Sequence, residues 1–254
     1  MFSLNRIVSG VAVALALTAG QAASAAPVKN IVLVHGFFAD GSGWQGVSKI
    51  LTRDGYHVAV VQEPETSLAD DVKATQSAVN AFDGQSLLVG HSYGGMVITQ
   101  AGNDDKVAGL VYIAAFEPEV GETLRDLTDK MPAATKGIKA TPDGHLAFDQ
   151  TLFSADFAAG VPEADAKFMA ISQVLPTLQT ANTAVTQAAW KTKPSWAIVS
   201  KDDRTVNPDL ERFMAQRAGS KVTEIHGSHV AFIAHPAEVA KVIEQAARAS
   251  GNAE

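Results

Sequence analysis

The stretch Gly90-His91-Ser92-Tyr93-Gly94 constrains this chain more than any other five residues. The segment before it, Gln85-Ser86-Leu87-Leu88-Val89, is largely apolar and strand-like. The segment after it, Gly95-Met96-Val97-Ile98-Thr99-Gln100-Ala101, reads as the start of a buried helix. Gly-x-Ser-x-Gly between a strand and a helix is the context in which the pattern marks a nucleophile elbow. The turn is too tight for side chains on its flanks, hence glycine at both ends. It lifts the serine hydroxyl clear of the sheet and sets it at a helix N-terminus, where backbone N–H groups favour developing negative charge. A glycine-rich turn that merely happens to hold a serine would need neither flank. The strand and helix therefore decide for Ser92 as a nucleophile.

The same alternation runs through the rest of the chain. Val28–Val34 is a first core strand ending in a continuous apolar run, followed by a loop of Gly, Ser and Asp from His35 to Gly46. Trp44–Leu51 leads into a helix, His57–Val61 is a strand, and Leu68–Phe82 is a helix whose Asp70 and Asp71 suit the positive end of its dipole. Val107–Ala115 and Ser195–Ser200 are further strands, Leu210–Ala218 is a helix and Lys221–Ile225 a last short strand. Pro236–Ala247 closes as a helix with proline in its first turn. Apolar strands alternating with helices predict an α/β fold, a mostly parallel, doubly wound sheet covered on both faces. Between about 117 and 193 the pattern breaks. Pro118, Pro132, Pro142, Pro162 and Pro176 punctuate this stretch, and its best helices are Ala164–Val174 and Leu178–Trp190. It reads as a mostly helical cap inserted over the carboxyl edge of the sheet.

Composition removes several classes of function. Net charge is −7, from 27 acidic against 20 basic side chains, with no Lys/Arg run, so nucleic acid and anionic membrane surfaces are not expected partners. The absence of cysteine rules out disulfides, a thiol nucleophile and thiolate metal sites. At the N-terminus, Arg6, the apolar run Ile7–Gly20 and the small residues through Ala23-Ser24-Ala25 have the three-part pattern of a secretory signal peptide. Cleavage is expected after Ala25, with Ala26 as the alternative. The apolar run falls short of the roughly 20 residues a membrane span needs. The expectation is residues 1–25 as signal and 26–254 as one exported domain, periplasmic or secreted, with no stable membrane insertion.

A serine hydroxyl needs a base within hydrogen-bond reach, and the base needs an orienting acceptor. Elbow-bearing folds supply them in the chain order Ser, acid, His. Among seven histidines, His229 follows the last strand and precedes a helix, the expected position; His226, at the strand end, is the local rival. His226 and His229 together lack the spacing and the carboxylate partners of a metal site. For the acid, Asp203 and Asp202 compete just after the strand ending at Ser200. Asp203 has the better acid–x–x–apolar–x–Pro spacing, and Glu117, after the preceding strand, is an outside candidate. The oxyanion hole requires two N–H donors. One is expected from Tyr93, directly after the nucleophile. The other is expected from Phe37 in His35-Gly36-Phe37-Phe38, where Gly36 allows the backbone to approach closely.

With these residues in place, the chain resembles an α/β-hydrolase. His35-Gly36-Phe37-Phe38-Ala39-Asp40-Gly41-Ser42-Gly43-Trp44, Gly90-His91-Ser92-Tyr93-Gly94-Gly95, Asp203-Arg204-Thr205-Val206 and Gly227-Ser228-His229 are similar to the plant methylesterase and hydroxynitrile lyase group and its bacterial esterase relatives. The resemblance runs from Val28 to Ala247 and is weakest in the cap. Lyases of that group carry Thr where Gly36 stands and Lys directly after the catalytic His, where this chain has Val230. Both departures favour hydrolysis. Ser92 also separates the chain from dehalogenases and epoxide hydrolases of similar fold, which use Asp as nucleophile. The resemblance implies a cofactor-free carboxylesterase acting on small to medium apolar esters. Phe116, Phe148, Phe153, Phe157, Phe168, Met169 and Trp190 are candidate pocket lining. A cofactor-free lyase or perhydrolase, or a ligand-binding protein with a vestigial triad, are the competing readings.

Overall fold

A computed structural model describes residues 27–251, so the expected signal segment lies outside the described residues. In chain order the elements are β1 (Asn30–Val34), α1 (Gln45–Arg53), β2 (His57–Val60), α2 (Leu68–Asn80), β3 (Ser86–His91), α3 (Gly94–Ala101) and β4 (Val107–Ile113). Then follow α4 (Leu124–Lys130), β5 (Ile138–Ala140), β6 (Leu146–Phe148), α5 (Gln150–Asp156), α6 (Glu163–Ile171) and α7 (Leu178–Ala181). The chain ends with β7 (Ser195–Ser200), α8 (Pro208–Ala218), β8 (Lys221–Ile225), α9 (Ala231–Ala234) and α10 (Pro236–Ser250).

Six strands form one sheet in the order β2-β1-β3-β4-β7-β8, every neighbouring pair parallel. β1, β3, β4 and β7 are buried along their whole length, as continuous apolar runs between two helical layers must be. The chain steps from β1 outward to β2, then reverses and crosses to β3 and β4. Right-handed crossovers in opposite directions put α1 on one face and α2 and α3 on the other. α1 accordingly packs beside α10, and α2 beside α3. The reversal leaves a crevice at the carboxyl ends of β1 and β3, where an open α/β sheet places its ligand. The loop after β1 and the turn holding Ser92 both open there.

Local signals match the elements they predict. Ser67 caps α2 by accepting the Asp70 amide, and Asn207 caps α8 ahead of Pro208. Among the described residues no helix is long and apolar enough to cross a membrane.

The stretch between β4 and β7 departs from expectation in two places. The helix expected over Leu178–Trp190 ends at Ala181. Asn182 Nδ2 turns back to the Leu178 carbonyl, and the groups beyond find tertiary partners. Val185 exchanges backbone bonds with Gly121 and Glu122, and the Thr186 amide donates to Gln100 Oε1 at 2.8 Å. Thr183, Val185 and Thr186 are poor helix formers, so these contacts win. The same stretch also holds an antiparallel hairpin, β5 with β6, turning through Gly144 at φ +86°. Three-residue, partly exposed strands carry too little alternation to be read from sequence.

Candidate active site

The elbow is held by close backbone approach. Ser92 sits in the left-handed region at φ +53°, a strain of about 1–2 kcal/mol for a residue with a Cβ. Its amide donates to the Ile113 carbonyl, and its carbonyl accepts from Gly95 and Phe116. The surrounding glycines are required by space. A Cβ at Gly90 would lie 2.6 Å from the Gly94 carbonyl oxygen, one at Gly94 2.5 Å from that of His35, and one at Gly95 2.0 Å from that of Phe116. At Gly36 a Cβ would lie 2.6 Å from Ser92 Cβ and 2.8 Å from the His91 carbonyl oxygen, so the lyase-type threonine does not fit without a shift.

His229 follows β8 and is fully buried. Its Nδ1 lies 2.7 Å from Asp203 Oδ2. Asp203 Oδ1 accepts the amides of Thr205 (2.7 Å) and Val206 (3.0 Å), so the carboxylate has three donors and a fixed orientation. A carboxylate facing Nδ1 keeps the proton there and leaves the Nε2 lone pair free. Among the described residues no group bonds that Nε2. The inserted stretch braces both loops. Asp156 of α5 pairs with Arg204 at 2.6 Å, Thr205 Oγ1 donates to the Asp156 carbonyl, and Ser228 Oγ donates to the Ala159 carbonyl.

The rival residues lie elsewhere. Asp202 is exposed, and its carboxylate meets His226 Nδ1 at 3.1 Å and the Gly227 amide at 3.1 Å. Glu117 is buried and accepts from Ser220 Oγ at 2.6 Å; burial pushes its carboxyl up to about 8. Neither reaches His229. His91 bonds the His229 carbonyl through Nε2 at 3.0 Å and is held neutral by burial, so it supports the histidine loop. Behind Asp203, Glu211 is buried, and burial together with the nearby Asp203 charge drives its carboxyl well up.

Ser92 and His229 wall the same cavity of about 60 Å³, along with Phe37, Phe116, Leu124, Ile138, Leu146, Phe157 and Val206. Phe38, a second residue with positive φ (+64°), lines both this cavity and a neighbouring cleft of about 350 Å³ that includes Phe168, Met169 and Phe232. Of the lining expected from sequence, Phe116 and Phe157 line the cavity that holds the serine, and Phe168 and Met169 line the outer cleft. Phe148 and Phe153 instead pack behind Phe157 at 5.6 and 4.5 Å. Trp190 turns away and donates to the Pro118 carbonyl. Leu124, Ile138 and Leu146, by contrast, gave no signal in sequence because the short elements carrying them were not legible. The amides of Phe37 and Tyr93 bond no protein acceptor among the described residues.

One further group of polar side chains converges beneath this site. His35, Glu63 and Glu65 bring ligand-type atoms within 4.8 Å of one another, all buried. His35 Nε2 accepts the Glu63 amide at 3.0 Å, which puts the ring proton on Nδ1, 3.4 Å from Glu65 Oε1. That nitrogen is a donor facing a carboxyl, and it does not fit the part of a metal ligand. Burial and the mutual proximity of the acids push both glutamates well above the usual carboxylate range.

Comparison with known proteins places this geometry in a family. Residues 31–242 match the Alpha/beta hydrolase family. The chain belongs to that family. It is 25% identical over 241 residues to the alpha/beta hydrolase nvfD of Aspergillus novofumigatus, covering 85% of this chain and 96% of that protein. It is 34% identical over 115 residues to a carbendazim hydrolyzing esterase of a Nocardioides species, a stretch covering 40% of this chain and 48% of that protein. The crystal structure of a pyrethroid hydrolase from Sphingobium faniae superposes with a TM-score of 0.73 at 22% identity, covering 87% of this chain and 98% of that one. At that identity the likeness speaks for the fold.

Proposed function

We propose that this α/β-hydrolase cleaves carboxylic esters through an acyl-enzyme formed on Ser92, with His229 as base and Asp203 as its orienting acid. One observation carries the reading: His229 Nδ1 is bonded to Asp203 at 2.7 Å, and Nε2, with no bonded partner among the described residues, lies on the cavity that Ser92 shares. Nε2 takes the proton of Ser92 Oγ as that oxygen bonds the ester carbonyl carbon. The carbonyl oxygen becomes an alkoxide held by the amides of Phe37 and Tyr93, which have no acceptor of their own among the described residues. As the alkoxide collapses, the C–O bond to the alcohol breaks, and the imidazolium protonates the leaving oxygen. Water then gives a proton to Nε2 as its oxygen bonds the acyl carbon; the bond from that carbon to Ser92 Oγ breaks, the imidazolium returns the proton to Oγ, and the acid leaves.

The apolar walls of the inner cavity suit a small acyl or alkyl group, and the outer cleft beyond Phe38 suits the larger half of the ester. Val230 supplies no cation to hold a departing cyanide, which favours hydrolysis over cyanohydrin cleavage. Export before action is part of the same reading, and a purified product beginning at Ala26 or Pro27 would support it.

The test is labelling with a fluorophosphonate alongside an ester panel of graded acyl length. Label on Ser92 and turnover, both lost in Ser92→Ala, are expected. An unlabelled wild-type protein would favour the binding-module reading. Cleavage of mandelonitrile without ester turnover would favour the lyase.

A further inference from the structure

The two residues proposed to supply oxyanion amides are coupled through their side chains. The rings of Phe37 and Tyr93 stack with centroids 4.0 Å apart and planes 20° from parallel. Tyr93 is tied down at its far end, where Oη donates to Asp71 Oδ2 at 2.7 Å. Asp71, fully buried in the first turn of α2, uses its other oxygen to accept the Glu65 amide at 2.8 Å. Glu65 is held at φ +54°, and its carbonyl accepts from Thr177 and from Thr180 Oγ1. Two residues earlier the Glu63 amide donates to His35 Nε2, and His35 leads directly into Gly36 and Phe37. The contacts therefore close a ring: Phe37, Tyr93, Asp71, the 63–65 segment, His35, and back to Phe37.

We propose that Asp71 is a positioning residue for the oxyanion hole. It sets the amide of residue 93 through the tyrosine ring, and the amide of residue 37 through the 63–65 segment and His35. This rests on the Ser92 reading given above. An N-terminal dipole interaction, the ordinary reason for an acid in a first helical turn, accounts for exposed Asp70 beside it but leaves both Asp71 bonds unexplained. A buried carboxylate is expensive to keep unless its bonds do something a small apolar residue could not. Here both bonds end on chain that sets an oxyanion donor.

Donor placement matters most in the transition state. Deleting one oxyanion donor lowers turnover about 10²–10³-fold. Loosening two amides without deleting either should lower it less, by about tenfold.

The experiment compares Asp71→Ala, Asp71→Asn and Tyr93→Phe with wild type. All rates are expressed per site titrated with fluorophosphonate, which removes any fraction of unfolded protein. Affinity for an alkylboronic acid, which forms a tetrahedral adduct on the serine, reads the oxyanion hole directly. In Asp71→Ala, kcat should fall about tenfold with KM within twofold, and boronate affinity should fall by the same factor as kcat. Asp71→Asn, which still offers one acceptor in the same shape, should recover most of both. Tyr93→Phe keeps the stacked ring and removes only the O–H, so it should lie between, and it carries the test by itself if Asp71→Ala does not fold. Wild-type kcat and boronate affinity in Asp71→Ala and Tyr93→Phe would overturn the proposal, as would a loss of kcat with boronate affinity unchanged. A wild-type protein that neither labels nor turns over esters fails the Ser92 reading instead, so the two failures are distinct.

Discussion

Replacing Glu117 by glutamine should change how stability depends on pH while sparing catalysis. Glu117 follows β4 and is buried; its carboxyl has a hydroxyl, Ser220 Oγ, as its bonded partner. Arg217, the cation that acts on this carboxyl, is spent on Glu122 in a forked pair at 2.7 and 2.9 Å and on the Glu117 carbonyl. Burial therefore dominates, offset only in part by Ser220 and Arg217, and the carboxyl is pushed up to about 8. In the unfolded chain the proton leaves near the ordinary 4.5. Between those values the native state holds a proton that the unfolded state has lost, so stability falls as pH rises. Below the lower value both states are protonated and the contribution vanishes; above the upper value the loss is complete. At 1.36 kcal/mol for each tenfold change, the window is worth about 5 kcal/mol. Glu63, Glu65, Asp71 and Glu211 are also raised and act in the same direction, so the variant is needed to isolate one carboxyl. Glutamine keeps the shape and an acceptor for Ser220 but cannot ionise. Urea unfolding followed by tryptophan fluorescence at pH 5, 6, 7 and 8 should show the two proteins nearly equal at pH 5 and the variant ahead by about 3–5 kcal/mol at pH 8. An offset that is the same at every pH would refute the reasoning. Turnover of the variant should match wild type, because Glu117 does not touch His229.

Three other substitutions read the site and its scaffold. Asp203→Asn should lower kcat on the order of 10³–10⁴-fold with little loss of fold, measured by ester turnover beside a melting curve, because the amide no longer holds the proton on His229 Nδ1. Gly95→Ala should fail to express as folded protein or lose several kcal/mol in urea titration, since the added carbon would sit 2.0 Å from the Phe116 carbonyl oxygen and neither backbone can yield. Phe157→Ala should lower stability by about 3–5 kcal/mol while shifting the ester preference to bulkier groups. That ring walls the inner cavity and meets the His229 ring at 5.0 Å. An unchanged ester profile would mean that the cavity wall does not select substrate.

Much of this molecule is legible in its sequence, and the reason is local. Periodicity is a property of neighbouring residues, so continuous apolar strands, capped helices and the strand–turn–helix around Ser92 declare a parallel α/β sheet from the chain itself. The order of Ser92, Asp203 and His229 follows from where their loops leave that sheet. Tertiary contact decided the remainder. Asp202 and Asp203 are adjacent in sequence, and only the folded loop turns one toward His229 and the other toward exposed His226. The helix expected through Trp190 stops at Ala181 because side chains and backbone from elsewhere take its hydrogen bonds. The tie from Asp71 to Tyr93 joins residues 22 apart in sequence, and the closed ring through His35 depends on three separate segments meeting beneath one crevice. Such bonds have no period and no motif. They exist only once the sheet has brought distant segments within 3 Å of each other.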